Sequence, residues 1–121
     1  MANSLPLVAD DCLFCRIVAG EVPSERLHAD DDVIAFRDIA PRAPTHVLVI
    51  PRRHIPDAHA VTHADADLLG KIFAVVRRVA DDAGLGTGYR VVTNVGPDSG
   101  QTVFHLHFHV LGGRAMAWPP G

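Results

Sequence analysis

The segment from Val103 to Leu111 constrains the fold more than any other, because histidine alternates with apolar residues through its centre. A repeat of two places successive side chains on opposite faces of a β-strand, so we predict a strand over Thr102–Leu111. Its apolar face is expected to pack beneath a helix and comprises Phe104, Leu106, Phe108 and Val110. Its other face carries three histidines, His105, His107 and His109.

The three histidines cannot bind one metal ion from a straight strand. Alternate residues lie ~6.6–6.8 Å apart, which separates the outer two by ~13 Å, whereas a zinc–nitrogen bond is only ~2.0–2.1 Å long. Two neighbours can chelate an ion, so the histidine face must be divided between tasks. Three histidines on so apolar a strand favour a chemical role over a purely structural one.

The remaining periodicities predict an α+β fold. Apolar residues recur over Asp65–Ala83 at the spacing of a core-facing helix. Thr62 and Asp65 have the spacing of a capping box, and Gly84 is a C-terminal stop. A short helix and four more strands are predicted at Cys12–Ala19, Arg26–Asp30, Val33–Asp38, His46–Ile50 and Tyr89–Asn94. We therefore expect an antiparallel sheet of about five strands with one long helix and a short N-terminal helix.

Composition limits the classes of protein that remain. The 121 residues are 48% hydrophobic and 21% charged, which predicts one globular domain over 12–121 behind a flexible N-terminal arm, 1–11. Eleven Lys+Arg against fourteen Asp+Glu give a net charge of −3, without a basic cluster for nucleic acid. No apolar run is long enough to cross a membrane. The N-terminus has no signal-peptide pattern, so a cytoplasmic protein is expected.

The only cysteines, Cys12 and Cys15, have the C-x-x-C spacing. This spacing suits one tetrahedral metal ion, with histidines as the other two ligands. It also suits a redox dithiol, although no strand precedes the pair as it would in a thioredoxin-like unit. Two reduced cysteines on a small core helix are the third interpretation.

The segment His105–Leu111 resembles the histidine-triad motif, His-φ-His-φ-His-φ-φ, of the HIT superfamily of nucleotide hydrolases and transferases. Similarity to its Hint branch extends over about residues 12–121. It includes Asp38-Ile39, the segment Pro44–Pro51, Asn94, Gly100-Gln101-Thr102, and the ending from Gly112-Gly113-Arg114 to Trp118-Pro119-Pro120-Gly121.

The resemblance implies a purine nucleoside phosphoramidase, which acts on adenosine or guanosine 5′-phosphoramidates. It implies a homodimer whose two sheets join into one. His107 is then the nucleophile that takes up the nucleoside monophosphate, His109 contacts the phosphate and His46 supports His107. The implied ligands of a structural zinc ion are Cys12, Cys15, His54 and His105. Such a site has no open position, so the metal would hold the fold without taking part in the reaction.

The nucleotide contacts follow from the same resemblance and from side-chain chemistry. Asp38 would accept hydrogen bonds from the ribose hydroxyls, unless it only caps a strand. Asn94 would contact the ribose or phosphate, unless it only shapes a turn. The backbone amides of Gly100, Gln101 and Thr102 would join His109 as donors to the phosphoryl oxygens. The base would lie between apolar side chains that could equally be core, namely Phe14, Ile17, Phe36 and Ile39.

The C-terminal tail is expected to approach the partner subunit's site through Trp118 and to shape the choice of leaving group. Ala117 stands where the Hint branch commonly has histidine, which bears on that choice. Three alternatives stay open: a dinucleoside polyphosphate hydrolase of the same superfamily, a non-catalytic AMP-binding interaction module, and a redox sensor built on the cysteine pair.

Overall fold

The computed structural model describes residues 11–121, so the predicted arm over 1–11 lies outside the described residues except for Asp11. The chain forms two α-helices, α1 (Leu13–Val18) and α2 (Ala66–Asp82). The strands are β1 (Arg26–Ala29), β2 (Val33–Arg37), β3 (Thr45–Pro51), β4 (Tyr89–Val92) and β5 (Phe108–Gly112). They build one antiparallel sheet in the order β1-β2-β3-β5-β4. The predicted α+β arrangement is confirmed. None of the helices in 11–121 is both long and apolar enough to span a bilayer.

Helix α2 begins and ends where its sequence predicts. The Thr62 hydroxyl accepts from the amide of Ala64 at 3.2 Å, and the Asp65 carboxylate accepts from the amide of Thr62 at 3.0 Å. This capping box closes a short 3-10 turn, His63–Asp65, that leads directly into α2, whose own N-cap residue, Asp65, caps no amide of α2. At the other end Gly84 has φ +69°, and the next amide, that of Leu85, donates to the carbonyl of Ala80 at 3.0 Å. The helix thus ends in the left-handed turn that glycine favours.

The two helices cover opposite faces of the sheet. Helix α2 buries one apolar stripe, consisting of Ile72, Val75, Val76, Val79 and Ala80, against valines of β2, β3 and β5. Helix α1 packs Phe14 and Ile17 on the other face against Ile34, Phe36, Leu48 and Ile50. Strands β2 and β3 are buried on both faces, which explains their continuous apolar runs.

The predicted strand over Thr102–Leu111 is wrong in its first half, because β5 begins only at Phe108. Pro51 lies where the ladder between β3 and β5 would continue, and proline has no amide proton to donate. The amide of Leu106 instead donates to the carbonyl of Ile55 at 2.6 Å. Phe104 is 52% exposed, so it does not lie beneath the helix, whereas Leu106, Phe108 and Val110 do join the core. The other predicted bounds are within two residues of those observed.

Candidate functional site

Three histidine rings meet on the α1 face of the sheet. His46 lies on β3, His109 lies on β5, and His107 lies immediately before β5. The ring centroids of His107 and His109 are 5.0 Å apart, and those of His46 and His109 are 5.1 Å apart. The rings of Phe14 and His107 are arranged edge to face, with their centroids 5.0 Å apart. The register of two neighbouring strands and helix α1 together bring these rings into one cluster.

The ring orientation of His107 is fixed by its own segment. Its Nδ1 lies 2.7 Å from the main-chain carbonyl oxygen of His105. A carbonyl can only accept, so Nδ1 carries the proton and Nε2 keeps its lone pair. The residue is 7% exposed, and burial lowers the pKa of His107 below its ordinary value. The neutral ring therefore presents an unprotonated nitrogen that can act as a nucleophile.

His46 and His109 form a directed chain of hydrogen bonds. The amide of Arg42 donates to His46 Nδ1 at 3.0 Å, so His46 carries its proton on Nε2. That nitrogen lies 2.8 Å from His109 Nδ1, which must then accept. His109 in turn carries its proton on Nε2, where it can donate to an anion. His46 is predicted to support His107, but its hydrogen bond goes to His109.

Burial keeps these two rings neutral. It lowers the pKa of His46 below its ordinary value. It is also the main cause that lowers the pKa of His109 to about 4, with a smaller contribution from the neighbouring histidines. Uncharged rings are needed for the chain described above, because a protonated His109 could not accept from His46.

An apolar cavity of about 220 Å³ opens beside the histidines. It is lined by five residues predicted to contact a nucleotide, namely Phe14, Ile17, Phe36, Asp38 and Ile39. Ile39 is 97% exposed. The Asp38 carboxylate caps the chain after β2 by accepting from the amide of Ala40 at 2.8 Å. Its other oxygen lies 3.4 Å from His46 Nε2, so Asp38 joins the cavity to the histidine cluster.

The loop after β4 holds the other predicted contacts, and most of its donors are already engaged. The amides of Gly100 and Gln101 donate to Pro97 and Gly96 within the turn, at 3.0 and 3.3 Å. The buried Gln101 side chain bonds Gly96, Pro56 and Val103 and so fastens the loop. Of the three predicted amides, only that of Thr102 makes no hydrogen bond to another described residue.

Two other predicted contacts lie outside the lining of the apolar cavity. Asn94 is half-buried and follows β4. Trp118 is 81% exposed on the irregular tail. The structure therefore groups the predicted base contacts and Asp38 around the cavity, whereas Asn94 and Trp118 do not line it.

Cys12, Cys15, His54 and His105 converge into a second cluster whose candidate ligand atoms all lie within 4.8 Å of one another. His105 Nδ1 is 3.4 Å from each cysteine Sγ. His54 Nδ1 is 3.3 Å from Cys15 Sγ and 3.2 Å from His105 Nδ1. Tetrahedral bonds of ~2.0–2.3 Å place ligand atoms roughly 3.3–3.8 Å apart, so these distances are close to those around a single zinc-like ion.

The surroundings of this cluster also suit metal ligands. His105 Nε2 lies 2.8 Å from the carbonyl oxygen of Pro51 and donates to it, which leaves Nδ1 unprotonated and available to a metal. Cys12 is the N-cap of α1, and its sulfur accepts from the amide of Cys15 at 3.2 Å. His105 is fully buried, and burial lowers the pKa of His105 to about 4, which keeps the ring neutral.

A second group of potential ligands, Asp38, His46 and His109, has a different geometry. The 2.8 Å separation of the two histidine nitrogens is that of a hydrogen bond. We therefore interpret this group as a hydrogen-bond network.

Comparison with known proteins identifies the class to which this fold and site belong. The model of the HIT domain family matches residues 19–116. The chain therefore belongs to the HIT family.

Individual relatives agree over nearly the whole chain. A HIT-like protein of Synechococcus elongatus is 46% identical over 94% of this chain and 100% of its own length. The crystal structure of a HIT family hydrolase from Legionella pneumophila has a TM-score of 0.90 and 47% identity, covering 92% of this chain and all of that one. A HIT family hydrolase from Clostridium thermocellum has a TM-score of 0.88 and 44% identity, covering 90% and 96%. The protein is thus a HIT family hydrolase-like protein.

Three groups that line the cavity or bond the histidines are not predicted from the sequence. Leu48 lines the cavity and could have been found, because it lies two positions from His46 on the same face of β3. The main-chain amide of Arg42 and the hydroxyl of Thr93 could not, because no pattern distinguishes them. Thr93 Oγ1 donates to the carbonyl of His107 at 2.8 Å.

Proposed function

We propose that the protein is a purine nucleoside phosphoramidase, which hydrolyses the P–N bond of purine nucleoside 5′-phosphoramidates and releases the nucleoside monophosphate. The observation that carries this proposal is the bond from His107 Nδ1 to the carbonyl of His105. It leaves Nε2 as a neutral nucleophile next to Phe14, which also lines the apolar cavity.

The proposed reaction has two displacements at phosphorus. In the first, the lone pair of His107 Nε2 forms an N–P bond, while the bond to the amine breaks and the amine leaves after taking a proton from solvent. In the second, water attacks phosphorus, gives up a proton to solvent, and the N–P electron pair returns to His107. Dividing one slow displacement into two faster ones is covalent catalysis.

The other residues of the site would hold the nucleotide. His109 Nε2–H is a donor for a phosphoryl oxygen, and the free amide of Thr102 is a second one. Asp38 would accept from the ribose hydroxyls, and the apolar cavity would take the base. We keep Asn94 as a proposed contact to the ribose or phosphate, and Gly100 as the position where the turn approaches the ligand.

Zinc is the ion that we propose for the cluster of Cys12, Cys15, His54 and His105. The four residues complete a tetrahedral coordination, so the ion would fix α1 to the segment around His105 without contacting substrate. We also propose a cytoplasmic homodimer in which the two sheets are continuous and Trp118 reaches the partner subunit's site. In the described sheet β1 and β4 are the edge strands, which is where such a continuation would occur.

The proposal is tested by AMP release from adenosine 5′-phosphoramidate, compared among the native protein, His107→Ala and His59→Ala. His59 is exposed and belongs to neither group of converging histidines, so its variant is the matched control. We expect turnover to fall by several orders of magnitude only in His107→Ala.

Other outcomes would select the alternatives. Absence of turnover by the native protein, with AMP still bound, would establish a binding module. Equal turnover in His107→Ala would show that another residue is the nucleophile. Faster cleavage of a dinucleoside polyphosphate would favour that hydrolase class.

A further inference from the structure

The main chain at His107 lies just beyond the end of the sheet. Strand β4 ends at Val92, β5 begins at Phe108, and the last backbone pair between them joins Val92 to His109. On the β3 side the ladder ends at Phe108, opposite Val49. No described ladder pair therefore includes His107, although the proposed nucleophile requires a fixed position.

Two hydrogen bonds replace the missing ladder. On one side the amide of Leu106 donates to Ile55. On the other side the Thr93 hydroxyl donates to the carbonyl of His107 at 2.8 Å. Thr93 is the first residue after β4 and is half-buried. Its side chain thus extends the attachment between β4 and β5 beyond the point where the backbone pairing stops.

We propose that Thr93 is a positioning residue for His107, a role that rests on the proposed function. Threonine is branched at Cβ, so its hydroxyl is held by a stiff side chain close to the main chain. Without this donor, the carbonyl of His107 loses its hydrogen bond to Thr93. The short segment that carries both the His107 ring and the His105 carbonyl, which accepts from that ring, is then less constrained. A displacement of about 1 Å at a reacting atom can cost as much as ~10²-fold in rate.

A purely structural role for Thr93 makes a different prediction. Loss of one intramolecular hydrogen bond would then lower the melting temperature and leave the turnover of the folded enzyme unchanged. The positioning role instead predicts a fall in kcat with little change in KM, because Thr93 is not among the residues that line the cavity and its hydroxyl bonds the main chain of His107.

The experiment compares three variants at fixed pH. Thr93→Val preserves the shape and removes the donor, and Thr93→Ser restores a donor. Thr45→Val is the matched control, because Thr45 is a half-buried threonine of the same sheet whose hydroxyl bonds no other described residue. We expect kcat to fall about tenfold in Thr93→Val, with KM within about twofold. We expect values near native in the other two variants.

A second measurement does not depend on turnover. Nitrogen-15 spectra of the histidine rings report which nitrogen carries the proton, and the signals of His107 are assigned by their absence in His107→Ala. We expect one tautomer, protonated at Nδ1, in the native protein and in Thr93→Ser. In Thr93→Val we expect mixed tautomers or broadened signals.

The outcomes separate the two proposals. If the native protein turns over substrate and Thr93→Val is unchanged in kcat and in the His107 spectrum, the positioning role is wrong and the phosphoramidase stands. If the native protein has no turnover, the proposed function fails, and the His107 spectrum of Thr93→Val alone decides whether Thr93 holds this ring. Loss of the single tautomer in Thr93→Ser as well would overturn the role of the hydroxyl.

Discussion

The two faces of the sheet are covered by helices of very different length. Helix α2 has 17 residues and presents a continuous apolar stripe to its face. Helix α1 has six residues, too few to be stable without tertiary contacts. The α1 face also carries both histidine clusters. Both faces therefore have an apolar core, but only the α1 face combines a smaller core with the polar side chains that carry the chemistry.

This difference follows from what each helix must do. A long helix can bury enough apolar area to hold itself in place, at about 25 cal/mol per Å². A short helix buries less, but its N-terminus can approach the strands closely. Cys12 and Cys15 use that approach to reach His105 and His54. We infer that the α1 face is ordered by its ligand cluster together with a small apolar core, and the α2 face by packing alone.

Removal of the metal is expected to lower stability more than any other change, and this effect should arise on the α1 face. Because metal binding contributes directly to folding free energy in small sites, we expect chelation to lower the free energy of unfolding by about 5 kcal/mol or more. The check is a thermal melt with and without chelator under reducing conditions, together with the metal content. Cys15→Ala should have a lower melting temperature than the native protein, and the chelator should not change it. A metal-free native protein with an unchanged melting temperature would contradict the inference.

Shortening a side chain in the core beneath α2 should lower stability without lowering activity. Ile72 lies on the buried face of α2 and is completely buried, so Ile72→Ala should lower the free energy of unfolding by about 3 kcal/mol, measured by urea unfolding. Turnover of the folded variant should stay near native, because Ile72 contacts no residue of the histidine clusters. Its neighbour Lys71 forms an exposed ion pair with Asp32 at 2.7 Å, so Lys71→Ala should lower the free energy of unfolding much less than Ile72→Ala does. A parallel loss of kcat in Ile72→Ala would show that the two faces are coupled.

Lowering the pH should reduce the stability of the folded protein, because His109 on the α1 face takes up a proton less readily in the folded state than in the unfolded state. Its pKa is lowered to about 4 in the folded protein, mainly by burial, whereas an unfolded chain has the ordinary value near 6.5. The unfolded state therefore binds a proton first as the pH falls, and stability is complete above pH 6.5 and lost between pH 6.5 and 4. The expected loss is on the order of 2 kcal/mol after allowance for partial exposure.

Urea unfolding at several pH values checks this expectation. His109→Gln removes one titrating ring, so the free energy of unfolding should depend less steeply on pH in this variant than in the native protein. Identical slopes would show that His109 does not contribute.

Much of the fold could be predicted because each element is specified locally. The capping box of Thr62 and Asp65 marks the turn that leads into α2, Gly84 marks the end of that helix, and the apolar runs of β2 and β3 identify central strands. The grouping of Cys12 and Cys15 with His54 and His105 came from the resemblance. The distances among the nitrogen and sulfur atoms of these residues are consistent with it.

The rest depends on contacts that a sequence pattern does not contain. The strand alternation around His105 gives no sign that Pro51 interrupts the ladder on a different strand. The partner of His46 is decided by register, since His46 pairs with Leu111 and Leu48 with His109, and this places two rings side by side. The Gly100 and Gln101 amides donate hydrogen bonds within their own turn, and no sequence pattern indicates those bonds.

The interruption before β5 has a consequence for how this scaffold could be redesigned. In a complete antiparallel ladder the neighbouring strands would claim the main-chain acceptors of the segment, including the carbonyl to which His107 donates. Regular pairing would direct this oxygen towards a neighbouring strand and share it with an amide, although a carbonyl has two lone pairs. A designer who repaired the irregular strand to gain order would thus weaken the hydrogen bond that keeps the nucleophilic nitrogen free, so the irregularity is itself part of the site.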